Sequence, residues 1–215
     1  MAHRGTPEEQ GQFEHLLDKG LWLALQHSKA LARENRPLAE ADICKLHKLA
    51  FQQAWPGIAG EYRGVDIDAF EPIADLPPHH SLVPGEMLSF GRELEKRTGE
   101  GPGDAPEAVR LAIWAHMETV RIHPFQDGNG KTARFLMDAI LMRYVTGPPR
   151  NLVIPPDTKE RYMDCVQHAR QGRSEPFEAL IADLLDAMVR QEERRIAALV
   201  RLMERKRAKR GKAGV

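Results

Sequence analysis

The chain has 215 residues, enough for one large domain or one domain with extensions, and enough to bury a core. Its 31 Lys and Arg residues balance its 31 Asp and Glu residues, so no overall charge draws it to nucleic acid or to a membrane surface. No apolar run reaches the length of a membrane span, and no signal-peptide pattern opens the chain. Its two cysteines, Cys44 and Cys165, lack metal-ligand spacing, so we expect free thiols in a cytoplasmic protein.

Two amphipathic helices are predicted in the first quarter of the chain. Residues 1–12 are polar and are predicted to be irregular. From Phe13 apolar residues recur at helical spacing, with an interruption expected at Gly20 and an end before Pro37. The second helix is predicted over residues 39–51.

A loop and a short strand are predicted next. Residues 54–63 contain two glycines, a proline and two aromatic residues, which is typical of a loop. Apolar and polar residues alternate over 65–70, which predicts a strand, and prolines between 72 and 84 break any longer element. The pattern fits a β-hairpin with its loop, and a surface loop without a special role remains the alternative.

The rest of the chain is predicted to be helical. One predicted helix covers residues 87–98, and the next is capped by Asp104 and ends before His123. Further helices are predicted over 132–144, 158–171 and 176–209. The helix over 132–144 is apolar nearly all round, which predicts a central, buried position. We expect His116 to be a hydrogen-bonded core residue and the basic C-terminal tail to be a solvated end.

Residues 123–134 concentrate groups that suit phosphate chemistry. His123 is the one side chain of this stretch that titrates near neutral pH, so it is the candidate general base. Asp127 is a hard oxygen ligand suited to the Mg²⁺ that accompanies nucleotide phosphates.

The second half of the stretch predicts a polyphosphate site. Gly128, Asn129 and Gly130 lie where a new helix begins, and their backbone N–H groups can approach a ligand closely. Lys131 and Arg134 add positive charge over the first helical turn. Each fragment alone is usually a turn or a cap, but their combination within twelve residues is far less common by chance.

The stretch 123–134 resembles the signature of the Fic (filamentation induced by cAMP) family, His-Pro-Phe-x-Asp/Glu-Gly-Asn-Gly-Arg-x-x-Arg, with Lys131 where the family usually has Arg. The likeness runs from about residue 30 to about residue 190 and includes a Trp-Ala-Gly-x-Tyr-Arg-like element over 54–63. It implies an all-α Fic fold of about seven or eight helices with a small β-hairpin flap over the active site. On this basis we divide the chain into an N-terminal helical segment, a core domain and a charged extension with a basic tail. These cover residues 1–36, 37–190 and 191–215.

The resemblance also implies an activity. Fic domains typically transfer AMP from ATP, the cosubstrate, to a hydroxyl side chain of a target protein, with Mg²⁺ on the phosphates and pyrophosphate as product. The target is expected to dock at the flap, near residues 65–88. Neither nucleic acid nor a membrane is expected as a partner, and a homo-oligomer is left open. The expected location is the bacterial cytoplasm, unless the protein is secreted as an effector.

Two other functions stay open at this point. Lys131 keeps the positive charge of Arg but loses its planar bidentate fork, so the cosubstrate could differ. A Fic-fold enzyme that transfers UMP, phosphocholine or phosphate, such as a toxin, is one alternative. An inactive Fic-fold module that binds peptides at the flap is the other, and the intact His123, Asp127 and Arg134 argue against it.

Residues 30–35 resemble an inhibitory motif of many Fic proteins, Ser/Thr-x-x-x-Glu-Gly/Asn, with Ala30 in place of the hydroxyl residue. The resemblance implies that Glu34 pairs with Arg134, the second cation of the signature, and obstructs the γ-phosphate. The alternative is that Glu34 is a solvated residue at a helix C-terminus.

Overall fold

The computed structural model describes residues 7–34, 36–67, 76–145, 152 and 154–212; for residues 7, 202 and 205–212 it describes the backbone alone. Within these ranges the chain forms seven α-helices and three short 3₁₀ turns, and no strand. The helices are α1 (Pro7–Arg33), α2 (Glu40–Phe51), α3 (Val83–Glu100), α4 (Ala105–Ile122), α5 (Asn129–Tyr144), α6 (Lys159–Arg170) and α7 (Glu175–Lys212). The prediction of an all-α fold is confirmed for these residues.

Helix α1 corrects two predictions. It begins at Pro7, so the part of residues 7–12 predicted to be irregular is helical, while residues 1–6 lie outside the described ranges. It also runs through Gly20 without a break. A Cβ built on Gly20 would lie 2.1 Å from the carbonyl oxygen of Ala50. Glycine therefore serves here to bring α1 against α2, a tertiary requirement that local propensity does not reveal.

Helix α5 lies at the centre of the fold, as its all-round apolar pattern predicts. It packs against α1, α2 and α4, and most of its residues are buried. Helix α4, which leads into the signature loop, begins as predicted: the Asp104 carboxylate accepts a hydrogen bond from the Glu107 N–H at 2.7 Å. The two helices on either side of the loop are thus both fixed in the core.

The predicted flap is described in part. Residues 65–67 have no regular structure, and residues 68–75 lie outside the described ranges, so the strand predicted over 65–70 is not found where it can be seen. The 3₁₀ turn His80–Leu82 then leads directly into α3.

Helix α7 leaves the core as it proceeds. Its first turns bury Phe177, Leu180 and Ile181, whereas Ile196 and Leu199 further along are about half exposed. In the part of the chain that the structure describes, no helix has both the length and the apolar character needed to cross a bilayer.

Candidate active site

The signature loop, residues 123–128, connects the end of α4 to the start of α5. His123 caps α4: its N–H donates to the Thr119 carbonyl at 3.0 Å, and its φ of 50° is left-handed. Among the described residues it is the one non-glycine with positive φ. A side chain in this conformation costs about 1–2 kcal/mol, and such strain persists where the surroundings enforce it, commonly at functional sites.

The ring of His123 has one nitrogen directed at a backbone carbonyl. Its Nδ1 faces the Val120 carbonyl oxygen at 3.3 Å, so an Nδ1–H donating there leaves Nε2 as the basic nitrogen. Burial lowers the pKa of His123 below its ordinary value, and the nearby charges of Arg63 and Arg170 act in the same direction. The imidazole is therefore neutral near pH 7, which is the form that accepts a proton.

Arg63, the arginine of the Trp-Ala-Gly-x-Tyr-Arg-like element, anchors the backbone around His123. Its side chain is 1% exposed, and its Nε donates to the His123 carbonyl at 2.8 Å. Its backbone N–H donates to the Pro124 carbonyl at 2.8 Å. The same guanidinium also donates to the carbonyls of Val65 and Pro78. One buried cation thus joins the signature loop to both ends of the segment between residues 65 and 78.

His47 on α2 is a second buried residue that holds the signature loop, and the sequence alone predicts no role for it. Its Nδ1 accepts the Gly60 N–H at 2.9 Å, so its Nε2–H donates to the Asp127 carbonyl at 3.0 Å. Its ring stacks on Phe125, with centroids 3.8 Å apart and planes 5° from parallel. Burial lowers the pKa of His47 to about 4, so it stays neutral and keeps this tautomer.

Asn129 closes the loop with its side chain. Its Oδ1 accepts the Phe125 N–H at 2.9 Å and its Nδ2 donates to the Phe125 carbonyl at 2.7 Å. Both polar atoms of this 2% exposed amide have partners within the loop. The Asn129 side chain therefore fixes the shape of the loop, and the Asn129 backbone lies at the start of α5.

Gly128 is required by both conformation and space. Its φ is 78°, and an added Cβ would lie 2.2 Å from two ring carbons of Phe51. Its N–H donates to the Asp127 Oδ1, which holds that carboxylate against the start of α5. At Gly130, by contrast, the nearest atom to an added Cβ is Arg134 Nη1 at 3.8 Å, so this glycine keeps open space above the helix start.

Lys131 and Arg134 lie together on the wall of a cavity of about 400 Å³. The cavity is also lined by Leu21 and by Tyr162, and the guanidinium of Arg134 lies 5.9 Å from the centre of the Tyr162 ring. Asp138 sits in the same wall, and burial raises its pKa to about 7 although the Leu152 N–H donates to it. The two cations of the signature thus line one pocket.

The predicted structural role of His116 is confirmed. It is fully buried, and its Nε2 lies 2.8 Å from the Tyr162 hydroxyl. Its ring packs edge-on against Phe177, and burial lowers its pKa to about 3. A neutral imidazole with a hydrogen-bonded core partner belongs to the packing behind Arg134.

The structure does not bring Glu34 to Arg134. The Glu34 carboxylate lies 2.8 Å from the Arg36 Nε, and both line a crevice with Arg143 near the C-terminal end of α5. Arg143 is nine residues after Arg134 on the same helix, which separates them by about 13 Å along the axis. The expected inhibitory pair is not formed, because α1 runs alongside α5 and places its C-terminal end away from the signature loop.

Comparisons with known proteins agree with this site and fold. Residues 37–141 match the model of the Fic/DOC family, and this match contains the whole signature. The chain carries a Fic/DOC-family domain.

Curated relatives include the "Protein adenylyltransferase Fic" of Drosophila persimilis and of Drosophila melanogaster, each 30% identical over 170 residues, which is 79% of this chain and 32% of the relative. The chain therefore spans about a third of the length of these relatives.

Solved structures show the same fold. A Fic-1 fragment from C. elegans with a glutamate-to-glycine substitution has a TM-score of 0.68 at 25% identity, covering 89% of this chain and 53% of that one. A Fic-domain signaling protein from Bacteroides thetaiotaomicron has a TM-score of 0.64 at 23% identity, covering 85% and 71%. BepC from Bartonella tribocorum, solved with bound AMPPNP, has a TM-score of 0.58 at 19% identity, covering 80% and 86%.

Proposed function

We propose that this protein transfers AMP from ATP to a hydroxyl side chain of a target protein and releases pyrophosphate. The observation that carries the proposal is the arrangement of one loop. A neutral, strained histidine lies at one end of it, and a helix start with two cations facing a cavity lies at the other. Charge neutralisation and positioning are what nucleotidyl transfer chiefly requires from a protein.

In this reaction His123 takes the proton from the target hydroxyl through Nε2. The hydroxyl oxygen forms a bond to the α-phosphorus, and the bond from that phosphorus to the oxygen shared with the β-phosphate breaks. The electron pair leaves with pyrophosphate. Lys131 and Arg134 neutralise the outer phosphates, and the backbone N–H groups at the start of α5 hold their oxygens.

Asp127 would hold the Mg²⁺ that accompanies ATP. Its carboxylate is turned toward the helix start by the Gly128 N–H, and one or two carboxylates together with phosphate oxygens suit the way Mg²⁺ binds. When bound, the ion supplies further positive charge to the phosphates. The choice of ATP is supported by the curated adenylyltransferase relatives and by the AMPPNP-bound neighbour.

The target protein is proposed to dock along residues 65–88. Four large apolar side chains in this range are about half exposed: Val65, Leu76, Leu82 and Leu88. Arg63 ties both ends of the segment 65–78 to the His123 backbone, so a target held there would lie beside the base. Exposed apolar side chains of this kind are used in interaction surfaces.

The proposal is tested by incubating the purified chain with a cell lysate and isotope-labelled ATP, then identifying modified proteins by mass spectrometry. A mass increase of AMP on Ser, Thr or Tyr is expected, and His123→Ala should lower it by about 10²–10⁴-fold with nucleotide binding retained. Parallel reactions with UTP and CDP-choline, and Lys131→Arg as a matched variant, test the cosubstrate. A phosphate or UMP increment, or an unchanged rate in His123→Ala, would overturn the proposal.

A further inference from the structure

Asp66, His79 and His80 form a cluster of metal-ligating side chains at the two ends of the segment 66–79. One ligand atom from each lies within 4.8 Å of the others. The His79 Nε2 is 3.1 Å from Asp66 Oδ2, and the His80 Nδ1 is 3.2 Å from Asp66 Oδ1. The two rings lie side by side, with centroids 4.2 Å apart.

These separations are close to those of a transition-metal site. With Zn–N and Zn–O bonds of about 2.0–2.1 Å and tetrahedral geometry, neighbouring ligand atoms lie about 3.3–3.4 Å apart. The observed N···O distances of 3.1 and 3.2 Å run to the two different oxygens of Asp66, and one ligand atom from each residue lies within 4.8 Å of the others, so side-chain rotation must bring the three atoms closer together around one ion. The ion would lie between the carboxylate and the two imidazoles, in place of these direct contacts.

The surrounding contacts orient all three ligands. The Asp66 Oδ1 accepts the His80 N–H at 2.8 Å and lies 3.5 Å from a nitrogen of the buried Arg63. The His79 Nδ1 lies 2.8 Å from the Ser81 hydroxyl and accepts the Ser81 N–H at 3.3 Å. Nε2 can bind a metal only when Nδ1 carries the proton; the Nδ1–H would then donate to the Ser81 hydroxyl oxygen and the longer bond from the Ser81 N–H would be lost. Such outer contacts tune most protein metal sites.

We propose that Asp66, His79 and His80 bind a Zn²⁺ ion, with the fourth position open to water or to a side chain from a partner. Two imidazoles and one carboxylate are typical of a zinc ion that keeps an open coordination position. Mg²⁺ is excluded by the same chemistry, since it demands octahedral oxygen ligands and keeps its water. The site is therefore chemically distinct from the nucleotide-associated ion proposed at Asp127, and its test does not depend on the transfer activity.

The experiment is calorimetric titration of Zn²⁺ into the full, chelator-treated chain. One high-affinity site is expected in the wild type and in His123→Ala, and it should persist in excess Mg²⁺. The double variant His79→Gln with His80→Gln should bind Zn²⁺ more weakly by about tenfold or more. The reason is that the loss of even an outer-shell partner lowers metal affinity by about 10- to 100-fold. His168→Gln changes a partly exposed histidine on α6; it is the matched control and should leave binding unchanged.

Cobalt substitution gives an independent readout. Co²⁺ bound to the wild type should show the strong visible absorption of a four-coordinate ion, and Asp66→Asn, which preserves side-chain volume, should abolish it. Circular dichroism confirms that each variant is folded, and if the double histidine variant does not fold, the Asp66→Asn result decides. Equal Zn²⁺ affinity in wild type and variants, no binding at millimolar Zn²⁺, or a Co²⁺ spectrum like that of the free aqueous ion would overturn the proposal.

Discussion

Gly128→Ala tests the architecture of the signature loop directly. The new methyl group would occupy a left-handed backbone position at φ 78° and would lie 2.2 Å from the Phe51 ring. The backbone term costs about 1–2 kcal/mol and the overpacking about 1–3 kcal/mol. Together they predict a loss of about 2–5 kcal/mol, or about 4–20 °C in Tm for a chain of this size.

A double-mutant cycle separates the two terms. Phe51→Ala removes the ring that the methyl group would strike, so combining it with Gly128→Ala should cost less than the sum of the two single changes. Thermal unfolding followed by circular dichroism measures all four proteins. A Gly128→Ala protein with the wild-type Tm, or strictly additive costs in the cycle, would refute the steric reasoning.

Gly130→Ala is the matched control, because its added Cβ meets nothing closer than 3.8 Å. Its Tm should be unchanged or slightly raised, since alanine favours a helix over glycine by up to about 1 kcal/mol. Its affinity for Mg·ATP should nevertheless fall about 10- to 100-fold, as expected when a phosphate loses one charge-assisted hydrogen bond. Unchanged affinity would mean that phosphates do not approach this backbone.

Two further predictions concern buried titratable groups, both measured by urea unfolding across pH. The pKa of His47 falls from 6.5 to about 4 on folding, so the unfolded chain binds more protons in that window and stability falls as pH drops through it. His47→Gln should reduce this acid sensitivity while lowering the transfer rate, because glutamine cannot stack on Phe125. The pKa of Asp138 rises from 3.8 to about 7, so stability falls as pH rises through that window. The wild type should therefore lose stability between pH 5 and pH 8, by at most about 3 kcal/mol, and Asp138→Asn should not; an equal loss in both proteins would contradict the buried-acid assignment.

Much of the helical framework could be predicted from the sequence, because it depends on periodicity and on end signals. The Asp104 cap of α4 and the central position of α5 are both confirmed. The break at Gly20 was wrong, because the reason for that glycine is the backbone of α2, which lies far away in sequence. Local patterns report on local structure, and a helix–helix approach is not local.

The inhibitory pairing shows the same limit. Residues 30–35 match most of a short motif, yet the motif says nothing about where α1 lies relative to α5. In the structure Ser28 donates to the Phe135 carbonyl and Arg143 donates to the Leu31 carbonyl. These contacts set α1 parallel to α5, and Glu34 therefore lies beyond the Arg143 end.

The signature contains the groups that we propose to react, but residues that hold its backbone come from elsewhere in the chain. Arg63 bonds to four backbone carbonyls, two of which belong to His123 and Pro124. His47 bonds to two backbone groups, one of which is the Asp127 carbonyl. Their side chains are buried, so their function is to fix the positions of carbonyl groups rather than to meet a ligand. The left-handed backbone of His123 costs free energy, and the hydrogen bonds from the Arg63 guanidinium can offset that cost. A lysine ammonium could not make the same directed hydrogen bonds, because it lacks the planar, rigid geometry of a guanidinium. The proposed chemistry of this site can therefore be predicted from twelve consecutive residues. Its geometry depends on the side chains of Arg63 and His47, which lie more than fifty residues earlier in the chain.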